Sequence, residues 1–431
     1  MLFRSRIYLI KDMLATGKVT ADTVKHIDRC LSCLACMTTC PSGVHYMHLI
    51  DHARRWIESH YRRPSVERGL RRVLGTVLSR PRLFRLALRV AVAFKPLERY
   101  LPEQLAALFA LMPASVPAAS PIDRLQVFPA KGDRRMRAAL LPGCAQRVLA
   151  PEINEATIRL LTRHGCEVVM AKGSGCCGAL VHHLGQETAA LDLARANIDP
   201  WERERLASGL DAIVINASGC GTTVKDYGFM LREDPAYAGK AARIAALARD
   251  VTEIIEALGL RPISGCVTAQ NRRIAYHSAC SMQHGQVIHA GPKRLLAMAG
   301  FEPLDVPEGH LCCGSAGTYN ILQPKIAAAL RDRKLANIAA IQPDLVATGN
   351  IGCITQLAAG SSVPIVHTVE LLDWATGGLE PKALRSGHRE RRRKYSEDRN
   401  DSERAAKPIN VGSIHPVPPV SNRSPAAPSS T

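Results

Sequence analysis

Four cysteines recur in register along this chain, and the repetition restricts what it can fold into. Cys144, Cys176, Cys177 and Cys220 are followed by Cys280, Cys312, Cys313 and Cys353. The first three of each set lie 136 residues apart, and the single cysteine precedes the pair by 32 residues in both copies. Core or surface cysteines have no reason to keep such spacing, so the pattern predicts two copies of one supersecondary unit. The adjacent pairs do not suit disulfides, because neighbouring Cα atoms are about 3.8 Å apart, below the usual disulfide range. A soft metal is the natural client of such sulfur sets.

The segments around these cysteines alternate in type. Residues 137–141 read as a strand, 151–164 as a helix with proline in its first turn and Gly165 behind it, and 167–171 as a strand. A strand over 212–216 leads to Cys220. The second copy predicts strands over 273–278, 302–306 and 345–348, with a helix over 287–299. Alternation of this kind makes α/β modules with parallel sheets, here 131–262 and 263–376, and places the cysteines where strands give way to loops.

Upstream, residues 1–60 surround the run Cys30, Cys33, Cys36, Cys40, Pro41. Cysteines spaced by three can put three thiolates on one face of a cubane 4Fe-4S cluster, and the fourth usually reaches a second cluster in a two-cluster ferredoxin fold. Zinc sites rarely use this run. The chain has no second run, so either Cys40 closes the same cluster or an upstream half of the unit is missing. The fold class expected is α+β overall: a small helical ferredoxin-type domain followed by two repeated α/β cysteine-rich modules.

Glycines flank the repeated cysteines, at Gly143, Gly175, Gly178, Gly219, Gly221, Gly314 and Gly352, and let backbone N–H groups approach bridging sulfides. Gly173, Gly175 and Gly178 also match the G-x-G-x-x-G dinucleotide fingerprint. The second copy keeps Cys-Cys-Gly and loses the middle glycine, so the repeat preserves the cysteine pair and not a nucleotide loop. Cys166 and Cys266 fall outside both sets and read as ordinary small apolar residues. His182, His183, His277, His310 and His367 lie near the loops, as proton carriers, alternative ligands or plain hydrogen-bonded histidines.

Composition narrows the setting. Fourteen cysteines without a visible secretory signal predict a reducing compartment, cytoplasmic or peripheral on the inner face of the cytoplasmic membrane, and metal ligation in place of disulfides. The formal charge of +18 is concentrated in two stretches. Residues 54–99 carry thirteen Lys/Arg against three Asp/Glu, and 381–431 carry eleven against five. Neither interleaves aromatics that stack on bases, which argues against nucleic acid. Residues 61–130 read as a basic helical connector broken by Pro64, Pro81, Pro96, Pro102, Pro113 and Pro117; its uncharged stretch 105–122 holds three prolines and is a poor membrane span. Arg82, Arg85 and Arg89 beside Leu83, Leu86, Leu88 and Val90 suit either an anionic membrane surface or a helix packed on its neighbours. Residues 377–431 are expected to be a disordered basic tail.

Several segments together carry a family resemblance: 6–11 (RIYLIK), 26–30 (HIDRC), 39–43 (TCPSG), 216–221 (NASGCG), 224–228 (VKDYG), 310–319 (HLCCGSAGTY) and 350–353 (NIGC). Over residues 1–375 the chain resembles the iron–sulfur subunit of bacterial glycolate oxidase (glycolate dehydrogenase). Its repeated modules resemble the cysteine-rich CCG domains of heterodisulfide reductases, without the C-x-x-C end of that pattern after Cys220 or Cys353. The family carries two ferredoxin-type runs, of which this sequence matches the second. The resemblance implies 4Fe-4S clusters on this chain, FAD on a separate glycolate dehydrogenase subunit where glycolate becomes glyoxylate, and electrons passed toward membrane quinone. It also implies that the fourth ligand for Cys30, Cys33 and Cys36 comes from the missing first run.

The leading expectation is therefore a non-flavin electron-transfer subunit, inactive alone, of a dehydrogenase acting on a 2-hydroxy acid. Lactate or glycerol 3-phosphate are alternative donors. A thiol–disulfide enzyme using Cys176-Cys177 or Cys312-Cys313, and a zinc-stabilised scaffold, are the readings from other classes.

Overall fold

The computed structural model describes residues 3–95, 109, 111–113, 115–124, 126–263 and 271–385. In its first α/β module β1 (Gln126–Phe128), β2 (Met136–Leu140), β3 (Cys166–Met170), β4 (Ala212–Ile215) and β5 (Ala248–Asp250) form one sheet in the order β1-β3-β2-β4-β5, parallel except for β1. In the second, β6 (Arg273–Tyr276), β7 (Glu302–Asp305), β8 (Leu345–Thr348) and β9 (Ile365–His367) are all parallel, in the order β7-β6-β8-β9. Apart from the edge strand β1, the two orders are the same. The inner strands are short apolar runs, such as Ala212-Ile-Val-Ile215 and Leu345-Val-Ala-Thr348, because helices cover both faces of a parallel sheet.

This order creates a switch point in each sheet. From β2 the chain crosses to β3 on one side, and from β4 it goes on to β5 on the other, which opens a crevice at the carboxyl ends of the strands. Cys144 follows β2, Cys176 and Cys177 follow β3, and Cys220 follows β4. Cys280, Cys312, Cys313 and Cys353 take the same places after β6, β7 and β8. Two details differ from expectation. Cys220 and Cys353 sit in the first turns of the helices Ser218–Lys225 and Ile351–Ala358, not in loops. The helix expected over 287–299 begins only at Gly291, with Pro292 in its first turn; Ser281–Gly285 is a π-type turn and Val287 has φ +59°.

The modules share one core. Leu140, Leu160 and Val214 of the first pack in the same buried cluster as Ile274, Leu295 and Leu345 of the second. Between them Asp373, fully buried, takes Arg159 and Arg163 from the helix Glu152–Arg163.

The N-terminal part is helical: α1 (Phe3–Thr16), α2 (Ala21–Asp28), α3 (Ala35–Thr38) and α4 (Tyr46–His60) close around Ile10, Met13, Ile27, Ile50 and Ile57. Two connector helices, α5 (Ser65–Leu78) and α6 (Pro81–Ala93), start after Pro64 and at Pro81 as expected; Pro96 and Pro102 lie outside the described residues. Part of the basic stretch turns out to be internal. Half-buried Asp28 accepts from the buried Arg63 at 2.6 Å and Arg71 at 3.0 Å, and Arg85 donates to the carbonyls of Pro117 and Arg147. On α6, Phe84 and Leu88 are buried while Leu83, Leu86 and Val90 remain exposed. Beyond Gly377, where disorder was expected, Lys382–Arg385 forms a helical turn with Ala383 and Leu384 against the shared core; residues 386–431 lie outside the described residues.

Candidate metal centre

All three cysteine groups approach one cavity of about 470 Å³. Cys33 of the N-terminal run, Cys144, Cys177 and Cys220 of the first module, and Cys280, Cys312, Cys313 and Cys353 of the second line it. Its far wall is apolar, built from Val73, Leu74 and Val77 of α5 and Phe84 and Leu88 of α6. Cys176 stands just behind, within thiol hydrogen-bond reach of Cys144 and Cys177. Cys30 lines a smaller adjoining pocket, and Cys36 packs against the helical core. Cys40 is half-buried and lines neither.

The Cys-Cys turns are held alike in both copies. Gly178 and Gly314 adopt the left-handed conformation, at φ +87° and +88°. A Cβ on Gly178 would lie 3.0 Å from the carbonyl oxygen of Ala190, and one on Gly314 would run into that of Ala327. Only glycine suits both the angle and the contact. Each glycine also turns its N–H to the first sulfur of the pair, at 3.5 Å for Cys176 and 3.4 Å for Cys312. The matched G-x-G-x-x-G stretch is spent in this way: Gly175 donates to Asn197 Oδ1 at 2.8 Å, and the helix that follows, Ala179–His183, has only five residues. The structure offers no nucleotide cradle there.

The sulfurs in each module form a row, Cys144–Cys176–Cys177–Cys220 and Cys280–Cys312–Cys313–Cys353, each within hydrogen-bond reach of the next. Hydrogen bonding to neighbouring sulfur and burial push the thiols of Cys144, Cys177 and Cys280 well above their usual range; Cys176, which accepts from Cys144 and Cys177, is the one held below. Burial, and then Cys280, push Cys33 up to about 11. Crowded thiolates repel, so without a cation Cys144, Cys177, Cys280, Cys312 and Cys313 hold their protons while Cys176 is the exception. A bound metal reverses this by deprotonating its thiols outright. All described cysteines are free thiols, and the donor set, soft, buried and convergent, fits iron–sulfur groups.

The N-terminal run is tied into this site by charge. Arg54 donates to the Cys30 carbonyl at 2.7 Å and to Ser32 at 2.6 Å. Thr38 of α3 meets His284 Nδ1 of the second module at 2.7 Å, and His48 of α4 meets Asp226 of the first at 2.9 Å, so the N-terminal helices touch both modules. Asp51 faces His182 and His183; burial raises its pKa, but the two imidazoles hold it well below the usual carboxylate range. His367 caps the helix Thr368–Ala375 and reaches the Asn216 carbonyl at 2.7 Å, and His310 is exposed. Cys166 is a core residue of β3, its thiol pushed up by burial to about 12, and Cys266 lies outside the described residues.

Comparison with known proteins fits this geometry. The cysteine-rich domain family (CCG) matches twice, over residues 138–225 and 274–358. The chain is 40% identical to the glycolate oxidase iron–sulfur subunit of Escherichia coli over 372 residues, covering 86% of this chain and 87% of that protein. The chain belongs to the family of glycolate oxidase iron–sulfur subunits. A probable glycolate oxidase iron–sulfur subunit of Bacillus subtilis is 29% identical over 87% of this chain and 88% of its own length. Lactate utilization protein A of Geobacillus kaustophilus is 24% identical over 55% of this chain and 99% of its own.

Family membership does not by itself point to the residues around the sulfurs, and cysteine spacing missed several. Asn197 donates to the Cys176 carbonyl at 2.7 Å and Tyr227 to the Cys177 carbonyl at 2.8 Å, fixing the first pair. In the second module Lys334, wholly buried, donates to the Glu308 carbonyl at 2.8 Å. Burial lowers its pKa while the thiols of Cys280, Cys313 and Cys312 raise it. The repeat could have flagged it: Ala190 and Ala327 oppose the glycines of the two Cys-Cys turns, which sets an offset of 137 in this helix, and Lys334 then falls on the buried Asn197.

Proposed function

We propose that this chain is the iron–sulfur electron-transfer subunit of a flavin-dependent 2-hydroxy-acid dehydrogenase, with glycolate as the substrate of the complex. The observation that carries the reading is the single cavity onto which the N-terminal run and both sulfur rows open. In this reading residues 1–60 form a partial ferredoxin-type domain in which Cys30, Cys33, Cys36 and Cys40 hold a 4Fe-4S cluster. Residues 61–130 are the connector, and the modules at 131–262 and 263–376 hold further clusters through their cysteine rows. A bound cluster supplies reversible one-electron storage.

The chain's own residues supply the rest. The apolar wall of α5 and α6 excludes water beside Cys33, and the paired N–H donors of Gly178 and Gly314 stabilise charge on sulfur. Glycolate meets no residue of this chain in the proposal; FAD and the C–H chemistry belong to a partner subunit. Among the described residues no helix is long and apolar enough to cross a membrane. A quinone acceptor is reached peripherally, with exposed Leu83, Leu86 and Val90 beside Arg82 and Arg89 as the face turned to the membrane. Buried Cys176, Cys177, Cys312 and Cys313 give an incoming disulfide little access, which favours this reading over a disulfide reductase.

Anaerobically purified chain should contain iron and acid-labile sulfide and should leave glycolate unoxidised with an artificial acceptor. Adding the FAD-binding subunit should restore dye reduction, lost again in Cys33→Ser. Unaided glycolate oxidation, or a colourless iron-free chain, would sink the proposal.

A further inference from the structure

The modules match in topology and sulfur placement, but one position beside the sulfurs breaks the match. Leu141 follows β2 and is buried; 136 residues later the equivalent place after β6 holds His277, which is 1% exposed. A ring nitrogen of His277 and the sulfurs of Cys313 and Cys353 all lie within 4.8 Å of one another. That is close to the spread of donors around one metal ion, whose bonds are about 2.3 Å to sulfur and about 2.1 Å to imidazole nitrogen.

The hydrogen-bonding state of the ring supports the same conclusion. His277 Nε2 is fully enclosed and has no hydrogen-bond partner among the described residues. Lys334, which borders the same pocket, directs its ammonium to the Glu308 carbonyl and makes no hydrogen bond to this nitrogen. A buried nitrogen is normally satisfied by a partner, and one left open on a ring that stands beside two thiols is explained by a metal at that ring. His277 also borders a polar cavity of about 140 Å³ lined by Ser278, Gln283, His289 and Lys334, whereas its own first-module counterpart, Leu141, is apolar.

We propose that His277 is a ligand of the metal centre in the second module, which is therefore held by mixed thiolate and imidazole donors while the first is held by thiolates alone. The proposal rests on the reading of the sulfur rows as metal sites. An imidazole that takes the place of one thiolate at the metal raises the reduction potential of an iron–sulfur centre, so the second module would be the more readily reduced of the two.

The test compares the full chain with His277→Leu, the residue type of the first module, and His277→Cys, which supplies a thiolate at the same place. Metal and sulfide per chain are measured after anaerobic purification, and pulsed EPR is recorded on reduced protein with and without 15N-histidine. We expect a strong nitrogen coupling that changes with the isotope in the parent chain and is lost in both variants. Metal content should fall in His277→Leu and be retained in His277→Cys. Full metal content in His277→Leu overturns the proposal, as does a histidine coupling that survives in it. If the parent chain carries zinc and no iron, the electron-transfer reading fails, and metal loss in His277→Leu still decides the ligand. A parent chain without any metal overturns both.

Discussion

Replacing Lys334 by methionine removes one positive charge from beside the second sulfur row at nearly constant volume. Lys334 is wholly buried on the helix Pro324–Ala340, and only its bond to the Glu308 carbonyl is local; the thiols of Cys280, Cys313 and Cys312 supply the field that favours its charge. At an effective dielectric of about 20, a unit charge roughly 6–10 Å from a centre is worth about 2–3 kcal/mol. For a one-electron couple this equals roughly 85–130 mV. The second centre of Lys334→Met should therefore have a midpoint potential lower by about that amount, because the ammonium stabilises the more negative, reduced state. Redox titration followed by EPR reads the shift, with the first module's centre in the same protein as the internal control. Folding stability of the metal-free chain should be unchanged or increased, since a buried charge without its counter-ion is costly. An unchanged potential, or an upward shift, would refute the argument that this lysine acts on a charged centre.

Other perturbations follow from the packing. Gly178→Ala and Gly314→Ala each force an L-residue into the left-handed region, at a cost of about 1–2 kcal/mol before any clash; Gly314→Ala should lose more metal, because its Cβ meets the Ala327 carbonyl more closely, as read by iron per chain. Asp373→Asn leaves Arg159 and Arg163 without their carboxylate; breaking a buried pair costs about 3–5 kcal/mol, reduced here to roughly 2–3 because both arginines reach solvent, and urea unfolding checks it. Burial lowers His367 to about 4 and raises Glu370 to about 7. The histidine's contribution is lost as pH falls from 6.5 toward 4, and the glutamate's is lost as pH rises from 4.5 toward 7, so across 4.5–6.5 they offset. Glu370→Gln should unmask the histidine: urea-unfolding stability would then rise with pH by about 1.4 kcal/mol per unit across that window, relative to the parent chain.

The two-module plan was legible because cysteine register survives as a pattern in one dimension. Equal spacing between Cys144 and Cys176, and between Cys280 and Cys312, carries the equal strand order of the two sheets within it. Element ends were less legible where local signals competed, as at 287–299, where Gly291 and Pro292 set a later start than the apolar residues suggested. The basic stretch misled in a different way: Arg63 and Arg71 count toward net charge in the sequence but are used up on Asp28 in the fold.

By itself the sequence determined the donor types, their number and the duplication, since these depend only on residue identity and spacing. Tertiary structure alone decided that Cys33 joins the two rows at one cavity, because α5 and α6 must fold over the modules to close it. It also decided that the rows are unequal. His277 and Lys334 stand at ordinary positions in the chain, 57 residues apart, and only the tertiary fold brings the end of β6 and the helix Pro324–Ala340 to one pocket beside the second sulfur row.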